Sequence, residues 1–193
     1  MSWYCDMAPG HPQHGPYHDR VYGFPLSGDN ALFELLVLEL NQAGLSWLTI
    51  LKKTMNFRAA FDGFEIDRVA AYDETDVARL MGDAGIIRNH LKIAAAIHNA
   101  KIIQGLVREF GSFSAWLNHC HSRPKDDWVK LFKKTFHFTG REITNEFLMS
   151  SGYLSGAHRQ TCPVYDKIAH LNPPWMRVLS GSGMVKNRSP LRQ

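Results

Sequence analysis

The 193-residue sequence has only three cysteines, Cys5, Cys120 and Cys162, and this odd number argues against a disulfide framework. No apolar run is long enough to span a bilayer, and the first residues lack the basic start and apolar core of a secretion signal. We therefore expect a cytoplasmic protein that makes no contact with a membrane. Cys120 lies in a predicted helix, where a buried, unreactive thiol is expected.

Positive charge is not concentrated in any one segment. The 22 Lys and Arg residues exceed the 18 Asp and Glu residues, which gives a formal net charge of +4 and a pI of about 9.0. The doublets Lys52-Lys53 and Lys133-Lys134 are typical of solvated helix faces. Such a balance permits neutralisation of nucleic-acid phosphates but does not require it.

Alternation of apolar and polar residues at period two is absent, and the chain has no internal repeats. Apolar residues recur at helical spacing instead, so we predict an all-α protein. Asp29 is expected to cap a strongly apolar, central helix that ends at Gly44, and Ser46 is expected to cap the next helix. Further helices are predicted over residues 66–72, 75–81, 89–110, 113–119, 126–134 and 141–151.

Residues 1–179 are predicted to form a single domain, with an arm over 1–28 and a helical body over 29–179. The arm is rich in Pro, Gly and His, a composition that predicts chain without regular secondary structure. Residues 180–193 combine Gly and Ser with basic residues, and we expect them to form a disordered basic tail.

Two pairs of potential metal ligands lie at opposite ends of the chain, Cys5 with His18 and His158 with Cys162. Two thiolates and two imidazoles are the ligand set of a closed tetrahedral zinc site. His158 and Cys162 are one helical turn apart, so both would reach one ion if that stretch is helical. The alternative is a loop cysteine, a surface histidine and a buried thiol that never meet.

A glycine-containing hairpin is predicted between two helices, over residues 83–88. Hairpins of this kind grip one DNA strand when backbone N–H groups and a helix N-terminus face a phosphate. Gly85 would leave room for the phosphate, and Arg88 and Lys92 would supply positive charge. The alternative interpretation is a plain turn between two packed helices.

A carboxylate falls within the most apolar helix of the chain. Glu39 would be costly to bury there unless it is paired or functional. Trp47 follows a break at Gly44, which allows its ring to face a cavity. A buried carboxylate beside aromatic rings suits a flat, cationic ligand. Alternatively, Glu39 lies on a polar helix face and Trp47 packs in the core.

The motifs taken together resemble the DNA-3-methyladenine glycosylase I family. The resemblance extends from about residue 5 to residue 162 in the family's order, and it is most specific in two runs. The motifs are Cys5, Tyr17-His18-Asp19, Glu39, Gln42-Ala43-Gly44-Leu45-Ser46-Trp47, Ala84-Gly85-Ile86-Ile87-Arg88, Phe138-Thr139-Gly140, His158 and Cys162.

The resemblance implies a helix-hairpin-helix DNA glycosylase fold with one structural zinc per chain, which ties the N-terminal arm to the C-terminal region. It implies base-excision repair: the chain would flip 3-methyladenine out of double-stranded alkylated DNA, cleave its N-glycosidic bond and release the free base. We expect a monomer. The implied roles are catalytic for Glu39, base-binding for Met7, Tyr17, Tyr22 and Trp47, DNA-binding for Leu45, Gly85, Ile86, Arg88 and Lys92, and zinc-binding for Cys5, His18, His158 and Cys162.

The sequence departs from the family around the expected base pocket. Met7 and Tyr22 stand where the family has tryptophans, and Gly156-Ala157 stand where it has Asn-Asp. Base–aromatic stacking contributes roughly 1–3 kcal/mol, so the loss of an indole at position 7 predicts weaker activity or a different lesion. The alternative function is therefore a DNA-damage-binding protein of the same fold with weak or no catalysis.

Overall fold

A computed structural model describes residues 4–177, and within this range the chain is helical and contains no strand. This agrees with the predicted all-α class. The predicted tail over 180–193 lies outside the described residues. The α-helices are α1 (Tyr4–Met7), α2 (His14–Arg20), α3 (Asp29–Gln42), α4 (Trp47–Ala60), α5 (Ile66–Ala70), α6 (Glu74–Gly82), α7 (His90–Phe110), α8 (Phe113–Cys120), α9 (Lys125–Thr135), α10 (Arg141–Ser150) and α11 (Pro163–His170).

Helix α3 lies in the centre of the molecule. Nine of its fourteen residues are buried, because its apolar residues cover every side and can only be accommodated among other helices. The prediction that Asp29 caps this helix is wrong. Gly28 occupies the cap position with a positive φ of 99°, and the Asp29 carboxylate instead accepts a hydrogen bond from the backbone N–H of Ser114 at 3.2 Å.

The caps of the following helices agree better with the sequence. Ser46 accepts a hydrogen bond from the backbone N–H of Thr49 and caps α4, as predicted. Asp73 and Asp76 form a reciprocal capping box at the start of α6. Asn89 caps α7 through a hydrogen bond from the N–H of Lys92. The segment 83–89 therefore joins α6 to α7 as a hairpin.

One cluster of buried apolar side chains extends from α3 through α10 to Tyr153. Helices α5 and α8 pack against the long helix α7, and α4 and α10 pack against α3. Cys120 is buried in this cluster, and burial raises the pKa of its thiol, as expected for a structural cysteine. No helix in the described range is long and apolar enough to cross a membrane.

The arm contains regular structure, contrary to the prediction. Helices α1 and α2 form within it because their side chains have somewhere to pack. Tyr4 meets the rings of Tyr17 and Tyr22 at centroid distances of 6.4 and 5.3 Å. A second, small apolar cluster joins Cys5 to Cys162, Val164 and Ile168, so the arm packs on the C-terminal region.

Candidate functional site

A cavity of about 1160 Å³ lies where the arm, the end of α3, the start of α4 and helix α10 meet. All five residues predicted for base binding and catalysis line it, together with one residue predicted to bind DNA. They are Met7, Tyr17, Tyr22, Glu39, Trp47 and Leu45. The tertiary fold thus brings together side chains from two separate parts of the sequence, the arm and residues 39–47.

Glu39 projects from α3 into this cavity and is only 3% exposed. Ser150 on α10 donates a hydrogen bond to Glu39 Oε1 at 3.2 Å. Burial, together with the negative charge of Glu146, raises the pKa of Glu39 to about 8, although the hydrogen bond from Ser150 acts to lower it. The cavity therefore holds a carboxyl group whose ionised form is poorly solvated and would be stabilised by a positively charged ligand.

Aromatic rings form one wall of the cavity. The Tyr17 ring lies 5.2 Å from the Trp47 ring and 5.7 Å from the Tyr22 ring, measured between centroids. The Tyr17 hydroxyl donates a hydrogen bond to Ser150 Oγ at 3.3 Å. Ser150 therefore accepts a hydrogen bond from Tyr17 and donates one to Glu39. Burial raises the pKa of Tyr17 well above its ordinary value, so its hydroxyl is a neutral donor. Aromatic faces beside a carboxylate suit a flat cation.

Several residues that line the cavity were not predicted from the sequence, among them Tyr4, Glu146 and Met149. These three residues come from segments interpreted as arm and as ordinary helix. The sequence contains one indication for Glu146: it stands four residues before Ser150, so the two side chains share a face of α10. That face becomes informative only once α10 is known to pack on α3.

The loop between α3 and α4 carries an exposed leucine at the rim of the cavity. Gly44 adopts a left-handed φ of +81°, which turns the chain sharply, and Leu45 beside it is 41% exposed. An exposed apolar side chain on a tight loop is the arrangement expected of a residue that enters a DNA duplex.

The prediction that Lys92 contacts DNA is contradicted. Its side chain is only 5% exposed, and Nζ donates hydrogen bonds to the carbonyl oxygens of Asn41 at 2.8 Å and Ala43 at 2.7 Å. These carbonyls lie at the C-terminus of α3, where backbone acceptors have no partner within the helix. Lys92 therefore fixes the start of the loop that bears Leu45.

The hairpin between α6 and α7 is held largely by its own chain and by α4. Asp83 Oδ1 accepts a hydrogen bond from the N–H of Gly85 at 2.6 Å, so that N–H does not face outward as predicted. Lys53 Nζ donates to the carbonyl oxygens of Ala84 at 2.9 Å and Gly85 at 3.0 Å. A Cβ added at Gly85 would lie 2.8 Å from Asp83 Oδ1, which explains the glycine.

The two other hairpin residues predicted to contact DNA, Ile86 and Arg88, lie in different environments, one in the core and one at the surface. The side chain of Ile86 is 3% exposed and belongs to the main core, so a side-chain contact to DNA is excluded and only its backbone remains available. Arg88 is exposed and forms no ion pair with any described residue. Of the two predicted cations, only Arg88 is exposed to solvent.

Cys5, His18, His158 and Cys162 are all buried, and their ligand atoms lie within 4.8 Å of one another. Cys162 Sγ is 3.7 Å from His18 Nε2 and 3.6 Å from His158 Nδ1, and Cys5 Sγ is 3.7 Å from His158 Nδ1. Tetrahedral zinc with bonds of about 2.3 Å to sulfur and 2.0–2.1 Å to nitrogen separates these atoms by about 3.6 Å. The four side chains therefore fit one tetrahedral ion.

The outer nitrogens of both histidines are also engaged. His18 Nδ1 lies 2.7 Å from Asp19 Oδ1, and His158 Nε2 lies 2.8 Å from the carbonyl oxygen of Tyr22. Such partners orient metal-binding imidazoles. The helix considered for residues 158–162 is absent: Cys162 is the cap residue of α11, and a loop brings it to His158.

Comparison with known proteins places this fold and cavity in one family. The family model for methyladenine glycosylase matches residues 7–130. The chain is 48% identical over 170 residues to DNA-3-methyladenine glycosylase 1 of Escherichia coli, covering 78% of this chain and 91% of that protein. It is 32% identical over 166 residues to DNA-3-methyladenine glycosylase of Haemophilus influenzae, covering 76% and 89%.

Solved structures agree with the sequence comparison. The structure of 3-methyladenine DNA glycosylase I from Staphylococcus aureus, solved to explain its recognition of 3-methyladenine, superposes with a TM-score of 0.76 at 33% identity, covering 83% of this chain and 95% of that one. The resemblance found in the motifs is confirmed over most of the chain. This protein belongs to the methyladenine glycosylase family.

Proposed function

We propose that this chain excises 3-methyladenine from alkylated double-stranded DNA as a base-excision repair glycosylase. The relatives described above carry this activity in their names. The single observation that carries the proposal is the buried Glu39 carboxyl group beside the Tyr17 and Trp47 rings, in a cavity wide enough for an extruded nucleotide.

The chemistry explains why so few catalytic groups are needed. Methylation at N3 makes the adenine ring cationic, so the base leaves as a neutral molecule when it takes the electrons of the N-glycosidic bond. The sugar then carries positive charge at C1′, where water adds and loses a proton. The tyrosine and tryptophan faces hold the cation, and Glu39 accepts hydrogen bonds from it and stabilises positive charge electrostatically.

The proposal assigns DNA contacts to the rim of the cavity and to the hairpin. Leu45 enters the gap that the extruded base leaves in the duplex. Arg88 neutralises a phosphate, and the backbone of residues 85–88 lies along the same strand. The alkylated duplex is the partner, free 3-methyladenine is the product, and the enzyme works as a monomer.

We propose further that Cys5, His18, His158 and Cys162 hold one zinc ion. The donor set and its spacing support zinc, and four protein ligands complete the tetrahedron. The ion therefore has a structural role: it keeps the arm residues Met7, Tyr17 and Tyr22 against the cavity.

The experiment is a comparison of base release by the wild-type chain and Glu39→Gln. Duplex DNA methylated at N3 of adenine is incubated with each protein under single-turnover conditions, and free 3-methyladenine is measured. Loss of a positioned electrostatic group predicts a decrease of about 10²–10³-fold in the excision rate. Glu109→Gln is the matched control, because this exposed glutamate lies on α7 outside the cavity. Equal release by wild type and Glu39→Gln would contradict the catalytic role.

A second candidate function is damage binding without turnover. Met7 and Tyr22 favour it, since both line the cavity where the family has indole rings. It predicts tight binding to alkylated or abasic duplex with no free base released, and rapid excision of 3-methyladenine would exclude it.

A further inference from the structure

Helix α10 contributes two carboxylates, Glu142 and Glu146, to the cavity that Glu39 lines, and the less exposed of the two is Glu146. It stands on α10 four residues before Ser150, so the two side chains share one helix face. Ser150 donates to Glu39 Oε1 at 3.2 Å, and Glu146 is therefore one helical turn from the group that touches Glu39.

The position of Glu146 is fixed by two neutral donors. Tyr22 Oη donates to Glu146 Oε2 at 3.3 Å, and Asn145 Nδ2 donates to Oε1 at 3.3 Å. No Lys, Arg or His of the described chain forms an ion pair with it. The tyrosine at position 22 matters here, because its hydroxyl orients a carboxylate in addition to the stacking surface that its ring provides.

No described cation forms an ion pair with Glu146: Lys125 acts on it only through its charge, and Arg141, which lines the same cavity, is paired with Asp126. Burial raises the pKa of Glu146 and the charge of Glu142 raises it too, whereas Tyr22, Asn145 and Lys125 act in the opposite direction. Glu146 in turn raises the pKa of Glu39. A cation bound in the cavity would stabilise the ionised forms of both Glu39 and Glu146.

We propose that Glu146, oriented by Tyr22, is a second specificity-determining residue that makes this cavity select purines carrying a positive charge on the ring. The inference rests on the proposed glycosylase function. It extends that function from one carboxylate to a pair, and it offers a role for the tyrosine that replaces the family's tryptophan.

The competing explanation is that Glu146 only holds Tyr22 in place. Glu146→Gln separates the two, because the amide oxygen still accepts from the Tyr22 hydroxyl while the negative charge is lost. Glu109→Gln makes the same change of net charge at an exposed site outside the cavity.

The experiment measures binding of two small purines by calorimetry at pH 8. 3,9-Dimethyladeninium is a permanent cation that reproduces the substrate base, and 3-methyladenine is an uncharged base of similar shape. Glu146→Gln should weaken binding of the cation about tenfold, the effect expected of one charge at close range in a partly buried site. Binding of the neutral base should change less than twofold, and Glu109→Gln should change neither.

A second readout is the pH dependence of single-turnover excision. Removing the charge of Glu146 lets Glu39 ionise at lower pH, so the acid limb of the rate profile should move to lower pH in Glu146→Gln. A residue that only supports Tyr22 would leave that limb in place. Tyr22→Phe, which keeps the ring and frees the carboxylate, should weaken cation binding by a smaller factor than Glu146→Gln.

The outcomes distinguish this inference from the function on which it rests. Equal loss of both purines, or no loss of either, in Glu146→Gln overturns the inference even when wild-type excision is normal. If wild-type chain releases no 3-methyladenine yet prefers the cation through Glu146, the proposed function fails and the charge selection stands. Unfolding curves of both variants establish that each compared protein is folded, and Tyr22→Phe supplies the decision if Glu146→Gln does not fold.

Discussion

Glu39 shows how one residue acquires a role from its surroundings. Its placement within an apolar helix is evident from the sequence, but a helix surface offers both a solvated and a buried position. The structure places it at 3% exposure beside a serine from α10. The fold therefore disfavours the ionised form of this carboxyl group. A cation bound in the cavity would offset that cost.

The burial of this ionisable group predicts that the free energy of unfolding depends on pH. The pKa of Glu39 is about 8 in the folded chain against an ordinary value of 4.5, so between these pH values the folded chain binds a proton that the unfolded chain has released. Stability therefore falls as pH rises from 4.5 to 8. Glu39→Gln should be more stable than wild type at pH 8, by at most about 1.4 kcal/mol for each pH unit above 4.5.

Urea unfolding of both proteins at pH 5 and pH 8 measures this difference. The advantage of Glu39→Gln should be small at pH 5 and large at pH 8, while Glu109→Gln should follow wild type at both. An advantage independent of pH would mean that the glutamine improves packing and that the buried charge is not the cause.

At the scale of elements, two lysine side chains hold neighbouring segments in place by donating hydrogen bonds to backbone carbonyl oxygens. Lys92 on α7 binds the carbonyl oxygens that end α3, and Lys53 on α4 binds those of the hairpin. Both were apparent in the sequence only as positive charges. Whether a lysine side chain turns to solvent or to a helix end depends on the packing of the neighbouring helix.

Lys92→Met tests this structural role against a phosphate contact. Leaving the carbonyl oxygens of Asn41 and Ala43 without their donor should lower the free energy of unfolding by about 1–3 kcal/mol. The dependence of DNA affinity on salt should keep its slope, because Lys92 neutralises no phosphate. Binding titrations at several salt concentrations, together with urea unfolding, measure both quantities.

Arg88→Gln is the matched comparison, since Arg88 is exposed on the hairpin that leads into α7. It should leave stability within about 0.5 kcal/mol and reduce the salt slope by about one. A smaller salt slope in Lys92→Met than in wild type would restore Lys92 as a DNA contact.

At the scale of the whole molecule, the cysteine–histidine cluster joins the two ends of the described chain. It fastens α1 and α2, which carry Tyr4 and Tyr17, to the segment before α11. The structural metal that we propose would therefore affect both the stability of the fold and the shape of the site.

Removal of the metal should destabilise the fold and not merely slow the reaction. Metal analysis should find one zinc per chain, and Cys162→Ala should lose it. A ligand that binds only the folded chain contributes about 2.7 kcal/mol at 100 times its Kd, so loss of zinc should lower the free energy of unfolding by at least that order. Cys120→Ala, which alters a buried cysteine outside the cluster, should retain the metal.

The sequence by itself determined the helices of the body from α3 to α10 and the family, because apolar spacing and the run from Gln42 to Trp47 are local features. It also identified Glu39 and the four cysteine and histidine ligands as candidates. Only the tertiary structure decided that those four ligands meet, that Lys92 is buried, and that Glu146 shares the cavity. The physical reason is that such roles depend on which helix faces touch, and residues far apart in the sequence carry no local record of that contact.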